Sequence, residues 1–382
     1  MRDISVIIVS WNVRELLKRA LQSIFDDAAA AQCTVEVVVV DNASRDGTVE
    51  MVRAEFPHVR VIANTENVGF TRANNQGLRA TQYGTNAASS PAPTPPTAND
   101  QYGTNAASFP ASAPPTANGT PVTANGTPVT ANGTPVTANG TPVTANGTPV
   151  TANGRYVFFL NPDTEIQRGA LRALLDFMDA PENARVGIVG PQLYYADGSP
   201  QSSRRRFPKF STALFESTKL EQWFPHNKLI TDYRLRNTGD SNTQDVDWVV
   251  GAAMFVRRAV VEQIGGFDEN FFMYSEEMDW CKRAKEAGWR VVYFPHARVL
   301  HHEAKSSEQV RAQRDIYFHS SKVRYFKKHH GNLQGELLRY FLLSMFAYQI
   351  LEEGAKYVVG HKRALRAERI KAYAQVLRSG LK

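Results

Sequence analysis

Five tandem copies of TANGTPV, from Thr116 to Val150, rule out more folds than any other feature of this sequence. A seven-residue period suggests a coiled coil, but each copy carries a Gly and a Pro, and Pro inside a helix costs about 3 kcal/mol. Each copy also offers a single large apolar residue, Val122 in the first, so no two-position seam can form. Hairpins on the Asn-Gly pairs are opposed by the Pro two residues after each Gly, which blocks ladder bonding, and by the shortness of the arms. The flanking stretch is related material: QYGTNAAS occurs at Gln82 and Gln101, and PPTAN at Pro95 and Pro114. From Gln82 to Gly154 the only charged side chain is Asp100, and the segment has too little apolar surface to offset its ordering entropy. Residues 82–154 are therefore expected to be a disordered low-complexity insertion. The remainder, about 300 residues, suffices for one large or two modest domains.

The formal net charge of +7 is unevenly spread, with seven basic residues against one Glu between Lys362 and Lys382. Such a tail suits an anionic surface such as membrane lipid, or simply a solvated basic helix. Nothing points to nucleic acid. The two cysteines, Cys33 and Cys281, give neither a disulfide framework nor metal-ligand spacing, which fits a reducing cytoplasm. The opening run ISVIIVS lacks a basic leader and a cleavage site, so no signal peptide is expected. The longest apolar stretch, Leu337 to Leu351, is too short to span a bilayer and carries Arg339. It reads equally as a core helix or as one lying on a membrane surface. The expected location is cytoplasmic, with the tail a candidate for peripheral contact at the inner membrane face.

Four short β-branched runs, SVIIVS, VEVVVV, VRVI and YVFFL, alternate with helical patterns, as buried parallel strands do. After the first run, Val13, Leu16, Leu17, Ala20, Leu21, Ile24 and Phe25 share one helical face, with Asn12 and Glu15 spaced as a capping box. Ligands on such sheets bind at the carboxyl ends of the strands. Those ends carry Ser10–Trp11–Asn12, the DNASRDGT stretch from Asp41, and NPDTE from Asn161. Asp and Asn at strand ends are ordinary turn residues taken singly; three such clusters on one rim suggest a site. Neither a dinucleotide-binding glycine fingerprint nor a P-loop is present. A nucleotide diphosphate held here needs a metal on a hard carboxylate, and Asp163 is the best placed.

Taken in order, VIIVSWN, VVVVDNASRDGT, ENVGFTRANNQGL, FLNPDTEI, VGAAMFVRR, GGFDENFFMYSEEMDWCKRAKEAGW and ARVLHH resemble the family 2 glycosyltransferases of the GT-A fold, in particular rhamnosyltransferase-like members. The resemblance runs from Asp3 to about Gly331, interrupted only by the insertion. It implies an α/β fold with a mostly parallel central sheet flanked by helices and followed by a helical tail. The expected divisions are a nucleotide-binding half (1–81), the insertion (82–154), a metal- and acceptor-binding half (155–331) and a basic helical tail (332–382).

By the same resemblance, Ser10 and Trp11 meet the donor, with Trp11 against the nucleobase. Asp41 accepts the ring N–H of the base, and Arg72 contacts the nucleotide or its phosphates. Asp163 holds Mg2+ or Mn2+, with Asn161 in place of the first Asp of the usual D-x-D, and His301 completes the metal or phosphate site. Glu277 is the expected general base, which implies one displacement with inversion. Trp248, Gly251, Glu276 and Asp279 fall on the acceptor side, Asp279 being also readable as structural. Read locally, SEEMDWCKRAKEAGW is an amphipathic helix with Ser275 as its N-cap. Met254 and Phe255 read as core, Ala252 as small lining, His302 as a strand-end residue and Arg204–Arg206 as a solvated loop or, on the acceptor side, as a run that meets a lipid-linked diphosphate acceptor. The implied donor is a nucleotide diphosphate sugar, with deoxythymidine diphosphate rhamnose suggested by likeness. The implied acceptor is a glycan or a polyprenyl-linked sugar. The rivals are a sugar-1-phosphate nucleotidyltransferase, which wants a basic Gly-rich loop where SWNVRELL stands, and a non-catalytic scaffold built around the repeat.

Overall fold

A computed structural model describes residues 3–82, 154–218, 220–302, 311–360 and 362–382; the expected disorder of the repeat lies outside the described residues. The first half alternates strand and helix: β1 (Ile4–Ser10), α1 (Arg14–Ala31), β2 (Val35–Asp41), α2 (Thr48–Glu55), β3 (Arg60–Ala63), α3 (Phe70–Gln82) and β4 (Tyr156–Leu160). These strands are parallel, in the spatial order β3-β2-β1-β4. Every residue of β1 and β4 is buried, which explains why their apolar runs are continuous rather than alternating.

Helix α1 buries Leu17, Ala20, Leu21 and Ile24 on the sheet, as its pattern predicts. Its start is not the expected capping box. Asn12 has φ 53° and its Oδ1 accepts the Arg45 N–H at 2.8 Å, while the Arg14 N–H donates to Asp46 at 2.9 Å. The loop after β2 lies close enough to cap the helix after β1, so a tertiary partner displaces the local one.

The second half contributes β5 (Thr164–Ile166), α4 (Ala170–Asp179), β6 (Val186–Tyr194), β7 (Pro200–Gln201) and β8 (Arg204–Arg205). Short helices follow, α5 (Phe210–Glu216), α6 (Leu220–Trp223) and α7 (Lys228–Tyr233). Then come β9 (Gln244–Asp245), β10 (Trp248–Val249), β11 (Ala253–Arg257), α8 (Arg258–Ile264), α9 (Glu276–Glu286) and β12 (Arg290–His301). The main sheet runs β3-β2-β1-β4-β11-β6-β12-β5, with β7 on β6 and β9 on β12. It is mixed: β11 starts at the carboxyl rim and runs back antiparallel to both β4 and β6. Strands β8 and β10 form a separate antiparallel pair.

Apolar side chains fill both faces of the sheet. Phe158 and Phe255 pack edge to face on one side, and Phe159 and Trp280 on the other. Met254 and Phe255 are fully buried, as expected. Three helices close the chain: α10 (Arg311–His330), α11 (Asn332–Val358) and α12 (Arg363–Ser379). Leu338, Leu342 and Phe346 of α11 join Tyr325, Phe326 and Val376 in a third cluster. No described helix is long and apolar enough to cross a membrane.

Candidate active site

The carboxyl rim gathers the strand ends. Ser10 and Asp41 stand in direct register at the ends of β1 and β2, and β4, beside β1, ends at Leu160 with Asn161 next. Ser10 and Asp41 are buried, yet Ser10 Oγ and Asp41 Oδ1 have no hydrogen-bond partner among the described residues. The other Asp41 oxygen accepts the Ser44 N–H at 2.8 Å. A buried acceptor left unpaired costs about 1–3 kcal/mol, so this pair offers two unused acceptors to water or to a ligand at the rim. Trp11, half-buried, follows directly.

Asp163 and His301 meet because Thr164 pairs with His301 between β5 and β12. Their Oδ1 and Nε2 atoms lie 3.4 Å apart, both nearly excluded from solvent. Gln201 Oε1, on β7, is 2.8 Å from His301 Nδ1 and accepts its proton. That contact orients the ring and turns Nε2 toward Asp163. Nε2 thus faces a carboxylate oxygen, and a proton on the ring or a divalent ion between the two satisfies the contact. Asn161 Nδ2 stands 3.5 Å from the same nitrogen. The residues present therefore fit a divalent ion held by Asp163 and His301. Among the described residues no cluster of three or more His, Cys, Asp or Glu is found, so phosphate oxygens or water must supply the remaining ligands. His302 is engaged elsewhere, 2.7 Å from Glu165, which also accepts from Arg19 at 2.9 Å.

Helix α9 delivers the carboxylates. Ser275 precedes it as expected, but with φ 63° and no side-chain cap, so it turns the chain rather than bonding the helix. Glu276 is buried and Glu277 half-buried, and one oxygen of each lacks a partner among the described residues. Burial raises both above the usual carboxylate range, and the neighbouring Glu277 raises Glu276 further. Backbone N–H groups, that of Gly251 among them, pull Glu277 partly back. A Cβ on Gly251 would sit 3.5 Å from Glu277 Cβ, so the missing side chain leaves space beside this carboxylate. Gly251 is also near Asn161, whose N–H bonds the Ala252 carbonyl at 2.9 Å. The metal pair and Glu277 thus flank the same stretch of rim.

Asp279 is fully buried and ties α9 to α10 through His329 and Lys328, each at 2.7 Å, and to Arg283 at 2.9 Å. Although burial alone would raise it, these partners hold it down to about 2. Arg72 stands in the first turn of α3 with its side chain 62 % exposed, 3.8 Å from Glu269; none of its hydrogen bonds among the described residues reaches Asp41 or Asp163. Trp248 donates to the Arg206 carbonyl at 2.9 Å and packs on the C-terminal helices. Arg204–Arg206 is not a solvated loop, since Arg204 is buried. Sequence reasoning missed Gln201, which lies 100 residues from His301 and joins no local pattern.

A glycosyl transferase family 2 model matches residues 5–83, and a glycosyltransferase-like family 2 model matches residues 125–315. The chain is 27% identical over 342 residues to the N-acetylglucosaminyl-diphospho-decaprenol L-rhamnosyltransferase of Mycobacterium tuberculosis, covering 90% of each chain. It is 27% identical over 155 residues to the rhamnosyltransferase WbbL of Escherichia coli, covering 38% of this chain and 52% of that protein. Among solved structures, the mannosyltransferase PcManGT from Pyrobaculum calidifontis, in complex with GDP-Man and Mn2+, aligns with a TM-score of 0.45 at 16% identity. That alignment covers 99% of this chain and 86% of the other.

Proposed function

We propose that this chain, which belongs to glycosyltransferase family 2 and is a nucleotide-sugar-dependent glycosyltransferase of glycan biosynthesis, transfers a deoxyhexose such as rhamnose, with inversion, to a polyprenyl-diphosphate-linked sugar. The observation that carries this reading is the facing pair of Asp163 Oδ1 and His301 Nε2, 3.4 Å apart, on the rim where Ser10 Oγ and Asp41 Oδ1 lack partners among the described residues. The 27% identity to the mycobacterial rhamnosyltransferase along 90% of the chain supports the donor and acceptor classes.

In this reading residues 1–81 bind the nucleotide, 155–331 hold the metal and acceptor, and 332–382 form a basic tail toward the membrane. Asp41 accepts the ring N–H of the base, which packs on Trp11, while Ser10 and Asn161 bond the ribose and Arg72 closes over the phosphates. Asp163 and His301 would hold Mg2+ or Mn2+, which when bound would supply Lewis-acid neutralisation of charge on the departing diphosphate. Glu277 takes the proton of the acceptor hydroxyl as its oxygen attacks the anomeric carbon. The bond from that carbon to the diphosphate breaks, and the nucleoside diphosphate leaves. No second carboxylate acts as nucleophile, so one displacement inverts the centre. Glu276 lies beside the base, and burial raises both carboxyls above the ordinary glutamate range.

The test is a melting-temperature screen with nucleotide diphosphate sugars, with and without Mn2+. A bound ligand raises the midpoint by mass action, about 2.7 kcal/mol at a hundredfold excess over Kd. A Mn2+-dependent rise with one donor, lost in Asp163→Ala and kept in Glu277→Gln, is expected. A folded protein that no donor shifts would overturn the reading.

A further inference from the structure

The chain enters α9 through a left-handed turn. Tyr274 has φ 71° and Ser275 φ 63°, and no other two consecutive non-glycine residues among those described share that region. L side chains crowd the backbone there, so such a pair persists only where its surroundings over-determine it. The next two residues are Glu276 and Glu277. Ser275 makes no side-chain bond to the helix it precedes, so local capping does not account for the turn.

The groups that hold it come mainly from α10. Ser321, only 5 % exposed, donates its hydroxyl to the Met273 carbonyl at 2.7 Å. On either side of Met273, the Phe272 ring stacks on Tyr317 with centroids 4.2 Å apart, and the Tyr274 ring meets Phe318 edge-on at 5.6 Å. Tyr317, Ser321 and Lys328 recur at helical spacing along α10. Lys328 reaches Asp268 and Asp279 at 2.7 Å each, and His329 reaches Asp279 at 2.7 Å, so the same helix grips the chain before and after the turn. From α3, the Phe70 N–H bonds the Phe272 carbonyl at 2.9 Å. A helical serine often returns its hydroxyl to the carbonyl four residues back, whereas Ser321 spends it on another element. Met273 is thus fixed, and only the two left-handed residues separate it from Glu276.

The geometry points to Ser321 as a positioning residue that locks this turn and so aims Glu277 at the acceptor hydroxyl. The inference rests on the glycosyltransferase reading above, in which Glu277 is the base, and adds what sets its aim. Losing such an anchor misdirects the base without removing a substrate contact, so the cost falls on kcat and not on KM.

With both substrates varied, Ser321→Ala is expected to lower kcat about ten- to a hundredfold, with both KM values within about threefold and the donor-induced melting shift kept. Ser321→Thr, which restores the hydroxyl, recovers most of the loss. Ser275→Gly probes the turn itself, because glycine enters the left-handed region freely and no cap bond leaves with the side chain. In the Ser321→Ala background it is expected to recover part of kcat, whereas a serine that only supports the fold would leave the two changes independent. An unchanged kcat in folded Ser321→Ala, a parallel loss of the donor shift, or no recovery with Ser275→Gly overturns the assignment. If Ser321→Ala melts below the assay temperature, Ser321→Cys, close in volume and a weak donor, carries the same comparison. If wild type transfers to no acceptor, the functional reading fails on that result alone, and amide hydrogen exchange decides Ser321. The Asp279 N–H bonds the Ser275 carbonyl at 2.9 Å. Its exchange is expected to be about tenfold faster in Ser321→Ala while the amides of α8 keep their rates. Equal Asp279 exchange in wild type and variant overturns the assignment.

Discussion

A carboxylate that must take a proton near neutral pH works best when it is more basic than an exposed glutamate, and burial moves Glu277 that way. The direction has a sign that can be read in kinetics. The base must be ionised to act, so kcat/KM rises with pH through the pKa of the free enzyme. The midpoint of that acid limb is expected above the ordinary glutamate value, as a property of the coupled Glu276–Glu277 pair. Glu277→Gln should lower kcat by about 10²–10⁴-fold and abolish the limb, while donor binding persists. A limb that survives in the variant would remove Glu277 from the role. Stability runs the opposite way: a raised carboxyl supports the fold below its unfolded pKa, and that support is lost as pH rises through the folded one. That Asp41 and Asp163 stand on one rim was legible in the sequence because each follows closely on an apolar strand run, whereas Glu277 was singled out only by the family resemblance. Gln201 was not legible, since it gains its meaning only from a partner brought in by the pairing of β6 with β7.

At the scale of elements, the parallel strands were legible because full burial writes itself as unbroken β-branched runs, as in β1 and β4. The cap of α1 was not, because Asp46 reaches it from another loop. Nor was the reversal of β11, whose AMFVR run reads alike in either direction. The apolar stretch in α11 belongs to the core on one face. It buries Leu338, Leu342 and Phe346 and turns the opposite face outward, with Leu333 74 %, Leu351 73 % and Val358 77 % exposed. None of the helix's exposed positions carries a charge. Residues 311–382 contain fifteen Lys and Arg against five Asp and Glu, more than the whole chain's net +7. An uncharged helix face within so basic a set of helices fits an anionic lipid surface, where apolar burial and charge attraction add. Binding to vesicles of phosphatidylglycerol and phosphatidylcholine is expected, weakened by salt and absent on phosphatidylcholine alone. Leu337→Asp with Leu351→Asp should cut it at least a hundredfold, since each buried Leu contributes about 1.5–3 kcal/mol. Unchanged vesicle binding would reject this face, as would self-association in solution that the same pair of changes disrupts.

At the scale of the whole molecule, the question is whether residues 83–153 belong to the enzyme or only interrupt it. One side chain bears on this directly. Arg258, buried at the start of α8, donates to Thr81 Oγ1 at 3.2 Å and to the Gly154 carbonyl at 3.0 Å, and also to Ser5 Oγ at 2.9 Å. A single guanidinium therefore holds both ends of the interruption, and they can be no farther apart than its two reaches. Gly154 must stay, because a Cβ there would lie 2.7 Å from the Ser5 backbone nitrogen. A connection of four to six residues is long enough to join ends so placed. Closing a loop costs about 0.6 kcal/mol for each doubling of its length, so shortening this one should raise stability by roughly 2 kcal/mol, not lower it. Replacing 83–153 with a short Gly-Ser linker is expected to keep kcat and both KM values within about threefold and to raise the melting temperature by a few degrees. Arg258→Met in the shortened chain should cancel more than that gain, because the Gly154 carbonyl loses its Arg258 donor and the link to Thr81 and Ser5 is gone. A shortened protein that melts as the parent does yet transfers no sugar would make the repeat part of the catalytic apparatus. One that fails to fold would mean that the ends are held by the insertion and not by Arg258.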